Sequence, residues 1–192
     1  MRTRALATRF LHDTRGVSFI EFAFIAPVLA LVLAGAVDLG GLLYTRYGLD
    51  AAVSAGANYA VVKAADVDSS SGAALANTLA AIVSSSGSAD WANSTIVVNG
   101  GPTVTTSGAG TGSPSTVASG SPGPADSCYC PTPGSSGMNW GSAVACGQTC
   151  PNGVFAGKFV YVSANRTYSP FFSSFGFITN WTPSVQAMVQ VQ

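Results

Sequence analysis

Few residues in this 192-residue chain carry side chains suited to chemistry. There are four cysteines, set as Cys128-Tyr129-Cys130 and Cys146-Gly147-Gln148-Thr149-Cys150, one histidine, His12, and one glutamate, Glu21. Hydrolytic, acid–base and metal sites draw on clusters of His, Glu, Asp and Cys. No such constellation surrounds these positions, so neither an enzyme, a cofactor nor a small-molecule substrate is expected. Four thiolates would satisfy a zinc ion, but the C-x-C and C-x3-C spacings differ from the common zinc ribbons. Two disulfides are the favoured reading, with no metal, and four cysteines allow three connectivities. A bond within C-x-C would be strained, so Cys128 and Cys130 are expected to cross-link to Cys146 and Cys150. That closes a Gly- and Pro-rich loop with little core of its own.

Charge narrows the class further. Eight Lys or Arg balance eight Asp or Glu, and charged residues make up only 8% of the chain, against about 25% in an ordinary soluble domain. A nucleic-acid binder needs clustered cations and a charged disordered chain needs far more charge, so both are excluded. The placement is uneven. Residues 1–16 hold Arg2, Arg4, Arg9 and Arg15 against Asp13, a net +3, and the remainder carries −3. A basic stretch before an apolar run is the pattern of an exported or membrane-inserted chain.

From Phe22 to Val37 sixteen residues pass without a charge, slightly short of the ~20 that a spanning helix wants. Extending the run back to Val17 places Glu21 inside it. A carboxylate at the centre of a membrane helix costs about 2.5–3.5 kcal/mol, and less near an end. The arginines predict a cytoplasmic N-terminus with the residues after about 38 outside, where disulfides persist.

The run Arg15-Gly16-Val17-Ser18-Phe19-Ile20-Glu21-Phe22-Ala23-Phe24-Ile25-Ala26-Pro27-Val28-Leu29, with Gly35-Ala36-Val37-Asp38-Leu39-Gly40 after it, resembles the TadE-like family. These are minor pilins or pseudopilins of the tight-adherence system, related to type IV pilins. The resemblance covers about residues 15–64 well and the tail more loosely. It implies cleavage after Gly16 by a prepilin peptidase, making Val17 the first and Glu21 the fifth residue of the mature chain. It further implies that Glu21 faces the freed Val17 amine of a neighbouring subunit during assembly. Each charge is less costly in lipid when paired with the other.

The implied partners are the major pilin, other minor pilins, the prepilin peptidase, the inner-membrane assembly platform and membrane lipid. The implied setting is the bacterial inner membrane, single-pass with a cytoplasmic N-terminus and a periplasmic C-terminal domain, with the extracellular pilus as the alternative destination. The implied process is pilus biogenesis, adhesion and biofilm formation. A second reading competes in the same segment. Ala34-Gly35-Ala36 fits the small-residue site of a secretory signal peptidase, which would release a soluble binding module starting at Val37.

The elements follow from periodicity. Residues 1–16 form the leader, 17–40 the membrane and assembly helix, and 41–192 an extracytoplasmic domain. Helix is predicted over 18–65, kinked at Pro27 and bent near Gly40-Gly41, with Leu42, Leu49, Val53 and Ala60 on one face beside Gly48, Ala52 and Gly56. Arg46 and Asp50, four apart, are placed to pair. Ala26, Ala30 and Ala34 form a small-residue stripe suited to close helix contact.

A second helix is predicted from Gly72 to Ser85, burying Leu75, Leu79, Ile82 and Val83. Strands are predicted at 94–99, 103–105, 158–164 and 183–191, with Asn99-Gly100-Gly101-Pro102 as a turn. Residues 106–126, mostly Gly, Ser, Thr and Pro, read as a surface loop or linker. Nine of the 19 aromatics fall between Phe155 and Trp181 and are expected mainly in a sheet core, the alternative being an exposed contact patch. The fold class is α+β, pilin-like: a long helix packed on a small antiparallel sheet, with a disulfide-bonded loop region.

Overall fold

The structure, a computed structural model, describes residues 17–88, 90–111, 114–134, 137–173 and 181–192. Gly16, the basic leader, Phe175 and Phe177 lie outside these residues. The chain divides into two compact units. The first comprises Met1–Gly41 and Ser169–Thr179, the second Leu42–Tyr168 and Asn180–Gln192.

Helix α1, Val17–Val62, is 46 residues long and contains Pro27. Its text is rich in Ala and Leu, which form helix readily. Pro27 lacks the N–H that would bond the Ala23 carbonyl, yet helical structure continues through it and through Gly40-Gly41 without a break. The one long helix expected from sequence over 18–65 is therefore observed as a single element. A single lost bond, or a glycine pair costing about 2 kcal/mol in propensity, does not end a helix that extends several turns on either side.

In the second unit a five-stranded antiparallel sheet has the order β3-β2-β1-β6-β7. Its strands are β1 Asn93–Val98, β2 Thr103–Ser107, β3 Ser115–Ser119, β6 Phe159–Asn165 and β7 Ser184–Gln190. A separate hairpin pairs β4, Thr132–Gly134, with β5, Gly137–Asn139. Helix α2, Gly72–Ser84, packs on β1 and β2. It buries Leu75, Leu79 and Val83 as its periodicity predicts, while Ile82 is only half-buried.

The core joins the second-unit part of α1, through Leu49, Ala52, Val53 and Ala60, to α2 and to Ile96, Val98, Val104, Val160 and Val162 of the sheet. Gly56 allows this approach. A Cβ there would lie 2.8 Å from Val83 Cγ2, closer than carbon atoms pack. The interior strand β6 is buried on both faces over Phe159–Val162, whereas edge strand β7 alternates exposed and half-buried residues. The class is α+β, with the long apolar helix and the antiparallel sheet expected from sequence.

The stretch 106–126, read as a loop or linker, is more ordered than that. It carries strand β3, in register with β2 from Thr103↔Ser119 to Ser107↔Ser115, and a 3-10 turn at Gly123–Asp126. All five β3 residues are exposed. An edge strand is held by main-chain hydrogen bonds along one side and needs no apolar pattern, so composition concealed it.

Candidate functional site

The apolar half of α1 is the first candidate site. From Phe19 to Leu39 its large side chains face outward, among them Phe19 at 75%, Phe24 at 78% and Val32 at 63% exposure. Helix α1 is long and apolar enough to cross a membrane. Contiguous exposed apolar surface of this kind marks a membrane or protein contact. Such a surface is consistent with a membrane anchor.

Glu21 stands exposed on this surface, one turn into the helix. Among the described residues the one ion pair is Lys63–Asp66 at 3.7 Å, so no cation of the described chain neutralises Glu21. Pro27 is exposed six residues further on, and of the alanine stripe Ala34 is buried, Ala26 half-buried and Ala30 exposed. Val17 is the first described residue and is helical, and Gly16 lies outside the described residues.

Asp38 was legible only as part of the sequence run, and the structure makes it a connecting residue. It is fully buried within the first unit. The Phe171 N–H donates to its Oδ1 at 2.8 Å, and the Phe172 N–H donates to its Oδ2 at 3.2 Å. A buried carboxylate is expensive unless bonded, and these two donors meet that need. No local signal identifies them, because they lie 133 and 134 residues away. Phe171 itself is 77% exposed and Phe172 39%.

Arg46 and Asp50 do not pair. Both are exposed and line a surface cleft with Leu43, Tyr47, Ser184 and Val185. An exposed pair contributes so little that correct i,i+4 spacing does not ensure contact. The aromatic-rich stretch divides between the two expectations. Phe159, Tyr161 and Tyr168 are buried, while Phe155, Phe171 and Trp181 are exposed.

The cysteines form Cys128–Cys146 and Cys130–Cys150, with Cα atoms 5.1 and 5.6 Å apart. The clusters cross-link as expected, in the order that sequence left open. Cys128, Cys150 and Ala156 form a small core of their own, with Cys130 and Val144 beside it. All four sulfurs are committed to these bonds, so they serve as staples.

Two carboxylates organise the approach to α2. Asp68 Oδ1 accepts from Ser70 Oγ at 2.7 Å and from the Ser70 and Ser71 N–H groups at 2.7 and 2.6 Å. Asp126 Oδ1 accepts from the Ser69 N–H at 2.9 Å. Ser70 holds the Asp68 carboxyl below its ordinary range, and Ser69 does the same for Asp126, because a donated hydrogen bond favours the ionised form.

Neither the curated proteins nor the solved structures compared with this chain match it. A family model described as TadE-like protein matches residues 16–58. That span begins at Gly16, contains Glu21, Pro27 and Asp38, and ends inside α1. The segment that presents the apolar helix and its lone glutamate is thus similar to the TadE-like family over residues 16–58.

Proposed function

We propose that this chain is a minor pilin or pseudopilin of a tight-adherence, type IV-like pilus. It is a non-enzymatic subunit serving pilus biogenesis, adhesion and biofilm formation. Its N-terminus lies in the cytoplasm, α1 crosses the inner membrane, and the disulfide-bonded unit lies in the periplasm. A prepilin peptidase cuts between Gly16 and Val17, and the assembly platform, the major pilin and other minor pilins receive the mature helix.

The observation that carries this reading is the outward-facing apolar surface of α1 with one carboxylate, Glu21, near its start. Such a surface suits both stages of a pilin's life, first covered by lipid and then by neighbouring helices. Glu21 is five residues from the proposed cut, so the amine released at Val17 of one subunit is a natural partner for the carboxylate of the next. Pairing lowers the cost of holding either charge in a low-dielectric surround.

Intact-mass spectrometry of the protein from its native cell tests this. A chain starting at Val17 is the expected result. A start at Val37 would mean release by signal peptidase as a soluble module and would overturn the reading, as would an uncut Met1. In the same cells Glu21→Ala should abolish assembly while leaving membrane insertion intact, scored by pilus yield against membrane-fraction content.

A further inference from the structure

The proposed function leaves Phe171 and Phe172 unused, although the fold places them at a defined level. Both belong to the first unit, and their backbone N–H groups are bound to Asp38. Asp38 directly follows the uncharged run Phe22–Val37. At about 1.5 Å per residue that run measures roughly 24 Å, against a hydrocarbon core of about 30 Å. If the run spans a bilayer, Asp38 stands at its far boundary. The Phe171–Phe172 turn stands there with it.

Three further observations point the same way. The two bonds to Asp38 use backbone atoms only, so they do not engage the Phe171 ring, and Phe171 is 77% exposed. The Asp38 that binds the turn is flanked on α1 by Val37 and Leu39, each about half exposed. No charged side chain occurs in the sequence after Arg166, so the chain on the C-terminal side of the turn adds no charged side chain that would oppose entry into lipid. Aromatic side chains favour the bilayer boundary, and a buried carboxylate at that depth requires donors from its own protein.

We infer that the Phe171–Phe172 turn is a second membrane contact, an aromatic anchor that enters the outer boundary of the bilayer and is held at that depth by Asp38. The inference rests on the reading of α1 as a membrane-spanning helix. Asp38 is a positioning residue here, and the phenylalanine rings make the lipid contact. The anchor would fix the level of the chain in the membrane independently of Glu21.

The test uses the full chain, disulfides intact, in vesicles of phosphatidylethanolamine and phosphatidylglycerol. Phe171→Trp adds an emitter above the background of the unsubstituted chain. Lipids brominated near the carbonyl end or near the methyl end of the acyl chain then report its depth. The expected result is loss of the added emission, greater with the shallow bromines. Asp38→Ala in the same chain should weaken that quenching, and Asp38→Asn, which keeps one acceptor, should restore part of it. If the chain floats with the vesicles and the added emission is unquenched, the anchor is overturned while the spanning helix stands. Quenching unchanged by Asp38→Ala would overturn the positioning role. A chain that fails to float with the vesicles overturns the membrane reading and the anchor with it.

Discussion

Asn99 donates from its side-chain nitrogen to the Ala125 and Ser127 carbonyls, at 3.1 and 2.6 Å, and accepts from the Phe159 N–H at 3.1 Å. It is fully buried, with a φ of 50°, a left-handed conformation that Asn tolerates better than most residues. One amide thus joins the β1–β2 turn, the 3-10 turn before the cysteines, and β6. Asn99→Ala strands the buried Phe159 N–H and the carbonyls together, so a loss of about 2–3 kcal/mol is expected, read as a lower denaturant midpoint. Asp68 and Asp126 give the same unit a pH dependence. Their folded pKa values lie below the ordinary aspartate range. The stability they add is therefore present above the unfolded pKa and is lost as pH falls through the folded one. Denaturation should be flat from neutrality to about pH 4 and then steepen, and Asp68→Asn should flatten the acid limb. Sequence identified Asn99 as a turn residue because Asn-Gly-Gly-Pro is local chemistry. Its bonds to Ala125, Ser127 and Phe159 are non-local.

Among the elements, the disulfide loops depend least on hydrophobic burial. Each bond closes a span of 18 or 20 residues, and a loop near that length is constrained by about 3 kcal/mol in the unfolded chain. Replacing Cys128 and Cys146 together with Ser should lower stability by roughly that amount. Amide exchange should rise over residues 128–157 while the five-stranded sheet stays protected. The sheet is supported separately, because β1 and β6 are paired from Asn93↔Asn165 to Val98↔Val160 and share the main core. The elements with strong periodicity, α1, α2, β1 and β6, were legible in the text. Strand β3 was not, since an exposed edge strand of Ser, Thr, Val and Ala leaves no pattern of burial to read.

On the scale of the whole molecule, the main core cluster lies wholly in the second unit, drawing only on residues from Leu49 onward. A chain of residues 42–192 should therefore fold cooperatively and remain soluble without the apolar half of α1. Circular dichroism and thermal unfolding would check this, and a non-cooperative transition would show that the first unit contributes to that core. The apolar run, the lone Glu21 at its start, the α+β class and the pairing of one cysteine cluster with the other were determined by the sequence alone, because each follows from residues close together in the chain. The strand order β3-β2-β1-β6-β7, the choice of Cys128–Cys146 with Cys130–Cys150, and the seating of the Phe171–Phe172 turn on Asp38 were decided only by tertiary structure. Each joins segments far apart in sequence, and their partners are chosen by which buried surfaces and polar groups meet once the chain has closed on itself.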